Sequence, residues 1–170
     1  MDALRKSEPM PKWETTTDRR SDREVVVTRT FNGPARIVFD AWTRPELIMK
    51  WWTPASFGIT FISCEADVRT GGTYRFVMGH PSFDQPMAFH GRYIEVVPPK
   101  KIVWTNEEGG EDGSVSTVTF EEKDGKTLLV LTDVYPSKAA LDEAMASGGI
   151  GGFPEQFNQL DALLESLPKA

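Results

Sequence analysis

The sequence predicts an α+β domain in which one long, curved antiparallel sheet of about seven strands wraps around a C-terminal helix. Three observations carry that expectation. Strand-like runs follow one another from residue 59 to residue 135 with no helical periodicity between them. Two of these runs meet at a Gly-Gly corner, Asp67-Val68-Arg69-Thr70-Gly71-Gly72-Thr73-Tyr74-Arg75-Phe76, beyond which aromatic and polar residues alternate. The chain then ends on Phe153, Phe157, Leu160, Leu163, Leu164 and Leu167, an apolar stripe at helical spacing.

Taken in order, residues 1–22 are polar and aperiodic, with Pro9 and Pro11, and read as a disordered or loosely attached tail. Trp13 is the one aromatic in it. Glu24 to Phe31 is β-branched and alternating, a first strand ended by Asn32-Gly33-Pro34. Ile37, Val38, Phe39, Ala41 and Trp42 lie at helical spacing over Ala35 to Thr43, with Pro34 suited to the helix start. Arg44-Pro45 breaks this helix, and Glu46 to Trp52 forms another, stopped by Thr53-Pro54.

Further strands are expected at Ile59 to Arg69, Thr73 to Met78, Met87 to Val97, Lys101 to Asn106, Ser114 to Glu122 and Thr127 to Tyr135. Glu107 to Gly113 reads as an acidic, Gly-rich hairpin loop, and Asp124-Gly125 is a tight-hairpin signal. Ser137 to Ala146 is a short helix. Gly148-Gly149-Ile150-Gly151-Gly152 is a flexible hinge into the last helix. One domain over residues 23–168 results.

Composition narrows the function classes. With 170 residues and 39% hydrophobic content the chain can build a core without staples. A net charge of −6 argues against a nucleic-acid partner, which requires clustered Lys and Arg. The single cysteine, Cys64, permits no internal disulfide and reads as a small apolar strand residue. No apolar run is long enough to span a bilayer, and no signal-peptide core opens the chain, so a cytoplasmic location is expected.

The order of elements, together with particular residues, resembles the START-like superfamily (SRPBCC, helix-grip or birch-pollen-allergen-like fold). Within it the chain is similar to the branch named after the activator of a heat-shock-protein ATPase. The matching pieces are Phe39-Asp40-Ala41-Trp42-Thr43, Leu47 with Trp51-Trp52-Thr53-Pro54, and the Gly-Gly corner through Met78. They continue with Gly91-Arg92-Tyr93-Ile94-Glu95-Val96-Val97-Pro98-Pro99 and Val118-Thr119-Phe120-Glu121. The resemblance runs from about Glu24 to Leu167 and implies the helix-grip fold. It specifies function far less, since this superfamily hosts carriers, cyclases and ring-hydroxylase subunits. Where the family usually carries Gly-Trp, this chain has Gly152-Phe153, an apolar plug without an indole donor.

No motif declares a chemistry. His80 and His90 flank a loop without metal-ligand spacing, so no metal and no cofactor are expected. No G-x-S-x-G elbow is present, and the glycines at 148–152 lack a dinucleotide-binding context. Glu65 and Asp67 share a strand face opposite Ile62, Cys64, Ala66 and Val68, and are expected to face solvent. The weak acid-base candidates are Glu95, Asp133 and His90. Strand parity places Tyr74, Phe76 and Met78 on the concave face, with Ile102, Trp104 and Asn106, then Ser116, Val118 and Phe120, then Thr127, Leu129, Leu131 and Asp133. For Met87 to Val97 both parities carry apolar residues; the face holding Tyr93 is taken as inward.

The aromatic supply exceeds what packing needs, and the leading expectation is a pocket for a small hydrophobic or amphipathic ligand. The expected ligand-binding residues are Trp52, Tyr74, Phe76, Met78, Tyr93, Trp104, Asn106, Phe120, Phe153 and Phe157. Two alternatives stand beside it: a cyclase or isomerase using a cavity carboxylate or His, and an ATPase-activating co-chaperone or interaction module. The absence of a recognisable acid-base pair leans against an enzyme. A chaperone partner follows from the family branch alone, and a second copy of the chain is a further candidate partner.

Overall fold

The computed structural model describes residues 15–107, 113–147 and 150–167. Strand β1 is Thr16–Arg19 and β2 is Glu24–Phe31. Helices α1, Ala35–Thr43, and α2, Pro45–Trp51, follow, then a 3-10 turn at Ala55–Phe57. Strands β3 to β8 are Thr60–Ala66, Thr73–Gly79, Met87–Val97, Lys101–Thr105, Val115–Lys123 and Lys126–Val134. Helix α3, Lys138–Ala146, a 3-10 turn at Ile150–Gly152 and helix α4, Phe153–Ser166, complete the chain. The sheet is antiparallel, in the order β1-β2-β8-β7-β6-β5-β4-β3. This is the expected open sheet with a C-terminal helix, with eight described strands rather than about seven.

The eighth strand corrects the expectation of a loose tail, because Thr16–Arg19 pairs with Val25–Thr28 of β2. Thr16, Thr17 and Asp18 are exposed and polar, so they give no alternating apolar signal. Backbone pairing holds the strand, aided by a hydroxyl contact between Thr16 and Thr28. Arg19 adds an ion pair to Asp142 of α3 at 2.8 Å. The rest of the expected tail, with Trp13, lies outside the described residues. So do most of the Glu107 to Gly113 loop and Gly148-Gly149 of the hinge.

Strand alternation builds the core on one face. Tyr74, Phe76 and Met78 of β4, Ile102 and Trp104 of β6, Val118 and Phe120 of β7, and Leu129 and Leu131 of β8 are buried, as parity predicts. The open question on β5 is settled by a bulge: Tyr93 pairs with Trp104, but Glu95 pairs with Val103. Gly91 and Tyr93 therefore face inward, while Ile94 is exposed and Val96 packs against the core. A second bulge, between Phe61 and Ser63 of β3, turns Phe61 toward the core and leaves Ile62 50% exposed. That overturns the expected inward position of Ile62.

The helices close the concave side. α1 has no side-chain cap; instead the Ala35 N–H donates to Glu122 Oε1 on β7 at 2.9 Å, which satisfies one helix-terminal donor. Pro45 opens α2 at a position where its missing N–H costs nothing. Trp51, fully buried, donates its indole N–H to the Ala41 carbonyl at 2.9 Å and so ties α2 to α1. Ser137 Oγ caps α3 by accepting from the Ala140 N–H. α4 buries Phe157, Leu160 and Leu164. Beside that stripe it meets Arg29 of β2, which is 3% exposed and donates to Asn158 Oδ1 and Asp161 Oδ2. Burial lowers the Arg29 pKa, and Asp161 opposes that effect. At the β7–β8 hairpin Asp124 and Gly125 have φ of 56° and 78°, the left-handed pair that an Asp-Gly turn requires.

Candidate functional site

Between the inner sheet face, α1, the 3-10 turn at 55–57 and the start of α4 lies a cavity of about 340 Å³. Trp52, Tyr74, Phe76, Met78, Tyr93, Trp104, Asn106 and Phe153 line it, eight of the ten residues expected to meet a ligand. Phe120 and Phe157 do not. Phe120 is edge-on to Phe39 at 5.4 Å, and Phe157 is edge-on to Phe31 at 5.7 Å. Both are core, because the helices cover that end of the sheet.

Other wall residues stand outside the ten expected to meet a ligand: Trp42, Phe57, Ile59, Phe89, Ile102 and Gln156. Trp42 is the hub, with ring centroids at 4.8 Å from Trp51, 5.7 Å from Trp52 and 5.9 Å from Trp104. Such aromatic pairs contribute about 0.5–1.5 kcal/mol each beyond area burial, and they fix the wall in one shape. Helical periodicity marks Trp42 as buried but says nothing about which neighbour leaves space beside it.

The cavity mouth is framed by residues 51–56 and held to α4 by side chains of that helix. Gln159 Nε2 donates to the carbonyls of Trp51 and Thr53, and its Oε1 accepts from the Ala55 N–H. Gln156 Nε2 donates to the Trp52 carbonyl, and Glu155 accepts from the Ser56 N–H and hydroxyl. Those bonds hold the Glu155 carboxyl below the usual carboxylate range. Phe57, 40% exposed, stands at this mouth, its ring edge 3.0 Å from where a Cβ on Gly152 would lie. Glycine at 152 lets the ring approach the backbone that closely.

Polar groups are few and grouped. Tyr74 donates to the Thr105 carbonyl at 2.7 Å. Asn106 Nδ2 donates to Ser114 Oγ and Ser116 Oγ. Behind Asn106, Trp104 and Phe153 is a smaller chamber of about 130 Å³ that shares those walls and adds Ser116, Leu131 and Asp133. Asp133 is 8% exposed, and burial pushes its carboxyl up to about 6, against the weaker lowering effect of a hydrogen bond from Ser116. Among the described residues its Oδ1 has no hydrogen-bond partner, nor has the buried Trp42 Nε1. Burial likewise pushes the Tyr93 phenol up.

Of the three acid-base candidates, the structure leaves one at the site. Glu95 is carried outward by the β5 bulge and pairs with Lys101 at 3.0 Å. His90 is exposed on the outer face of β5, opposite Arg75. Asp133 alone lies against the cavity system. Glu65 and Asp67 are exposed, and Cys64 is half-buried with its thiol pushed up to about 11 by burial. Among the described residues no cluster of three or more His, Cys, Asp or Glu could hold a metal, and no helix is long and apolar enough to cross a membrane.

The family model described as Activator of Hsp90 ATPase homolog 1-like protein matches residues 32–165. No curated protein matches the sequence. Among solved structures, a Rhodobacter sphaeroides protein superposes with a TM-score of 0.82 at 22% identity, covering 91% of this chain and 100% of its own. A Mycobacterium smegmatis protein gives a TM-score of 0.76 at 27% identity, covering 90% of this chain and 98% of its own. An AHSA1-like protein from Aeromonas hydrophila gives 0.62 at 20% identity, covering 85% and 99%.

Proposed function

The chain belongs to the family of Activator of Hsp90 ATPase homolog 1-like proteins, and from its START-like fold and cavity we propose that it is a small-molecule binding protein. The ligand is hydrophobic or amphipathic and lies between the sheet and α4. The observation that supports this reading is the cavity itself: about 340 Å³, walled by aromatic and aliphatic side chains, and within the range of small-molecule sites. Its aromatic walls lock one another and Gln156 and Gln159 hold its rim, so it does not need to be built by the ligand.

Magnitudes define what such a cavity can do. Burying roughly 300 Å² of apolar ligand surface at about 25 cal/mol per Å² supplies about 7 kcal/mol. Association costs of about 4–15 kcal/mol oppose this. Apolar burial alone therefore gives weak binding, and the polar groups at the inner end decide affinity and orientation.

Native mass spectrometry of the purified protein before and after solvent extraction tests the reading. It should be joined to a thermal-shift screen of fatty acids, isoprenoids and polyketide-like aromatics. A retained small molecule, or a ligand-dependent shift, is expected. No bound mass and no shift across the panel would contradict it.

A second reading is favoured by Asp133. A buried carboxyl with its pKa at about 6, beside an apolar cavity, has the properties of a general acid or base for a cyclase or isomerase. Turnover of a bound ligand that Asp133→Asn abolishes would establish it. The co-chaperone alternative stands on the family description alone, and a chaperone ATPase assay without stimulation would remove it.

A further inference from the structure

Two buried polar atoms on residues that line the small chamber have no hydrogen-bond partner among the described residues: Asp133 Oδ1, an acceptor when ionised, and Trp42 Nε1, a donor. Both residues are more than nine-tenths buried, at 8% and 5% exposure, and both line the small chamber. Leaving either atom unmatched carries a desolvation cost that a bound polar group removes. Trp42, Trp104 and Phe153 border the main cavity as well, so one molecule can present its body to the large space and its end to the small one.

The pair of atoms restricts what that end can be. An ionised carboxylate is repelled by Asp133, the sole ionisable residue among the described residues lining the chamber. An ammonium offers Trp42 no acceptor. An alkyl end satisfies neither atom. A hydroxyl donates through its hydrogen and accepts through its oxygen, and so answers both.

We propose that the small chamber holds the hydroxyl of an alcohol or phenol whose apolar body fills the main cavity, donating to Asp133 Oδ1 and accepting from Trp42 Nε1. The inference rests on the ligand-binding reading above and gives it a chemical class. The residual hydrogen bond from Ser116 keeps the Asp133 carboxylate in place, leaving Oδ1 for the ligand. Binding by this end also orients the molecule, its apolar tail pointing to the mouth at Phe57.

The test is a matched set of probes, biphenyl, 4-hydroxybiphenyl and biphenyl-4-carboxylate, titrated near pH 8 against tryptophan fluorescence. One charge-assisted hydrogen bond makes 4-hydroxybiphenyl bind about tenfold or more tighter than biphenyl, with the carboxylate weakest. In Asp133→Leu the ratio of 4-hydroxybiphenyl to biphenyl affinity, both measured on that variant, falls to about twofold or less. Trp42→Phe keeps an aromatic wall without the N–H and lowers the preference independently, should the leucine variant fail to fold. Equal binding of biphenyl and its phenol to the native chain, or a preference that survives both substitutions, overturns the inference and leaves the cavity reading intact. Binding of none of the three removes both.

Discussion

The hydroxyl of Tyr74 donates to the backbone carbonyl of Thr105 across 2.7 Å, so β4 reaches past β5 to hold β6. The residue of β5 beneath this bond is Gly91, the register partner of Tyr74. A Cβ there would stand 2.0 Å from the same carbonyl oxygen, closer than any contact can be. Gly91→Ala must push β6 away and break the Tyr74 bond at the cavity wall. The expected loss is about 3 kcal/mol or more by denaturant unfolding. Tyr74→Phe, which removes only the hydroxyl, should cost about 1 kcal/mol.

Asp133 gives the fold a pH signature. Burial raises its folded value to about 6, above the unfolded value, so protonation favours the folded chain. The carboxyl costs nothing below the unfolded value near pH 4; the cost accrues as pH rises through 6 and levels at about 3 kcal/mol. Asp133→Asn should therefore be more stable than the native chain at pH 8, with the gap closing by pH 4. Urea midpoints across that range measure it. A variant less stable at pH 8 would show the carboxylate to be a structural strut.

Phe57 covers the mouth without belonging to the core, since it is 40% exposed while its ring rests on Gly152. Removing the ring opens the path but takes away only one wall. Phe57→Ala should raise association and dissociation rates for biphenyl together, several-fold each, with little change in equilibrium affinity. Stopped-flow fluorescence separates the two rates. A change in dissociation alone would make Phe57 a binding residue rather than a gate.

The sequence made the sheet, its inward residues and the C-terminal helix legible because burial repeats every second or fourth residue. Tyr74, Phe76, Met78 and Trp104 were placed at the cavity on that ground alone. It misled at the bulges: one extra residue after Tyr93 reverses the parity that put Glu95 inward, and another near Phe61 exposes Ile62. β1 was invisible, because Thr16, Thr17 and Asp18 bury nothing and its support comes from backbone pairing. Arg29 is likewise an inward charge whose partners, Asn158 and Asp161, come from α4 far along the chain. Whether Phe120 and Phe157 would wall the cavity or fill the core depended on how the helices lie across the sheet, which no local pattern encodes.

Entry of an apolar molecule into the space beside Trp42 is read residue by residue from the indole N–H signals of a ¹⁵N-labelled sample during a biphenyl titration. Trp42, Trp52 and Trp104 line the cavity, whereas the Trp51 indole is bonded to the Ala41 carbonyl and lies outside it. Saturable shifts are expected for those three, with Trp51 moving least. Unmoved indoles at saturating biphenyl, or shifts confined to the outer sheet face, would contradict it.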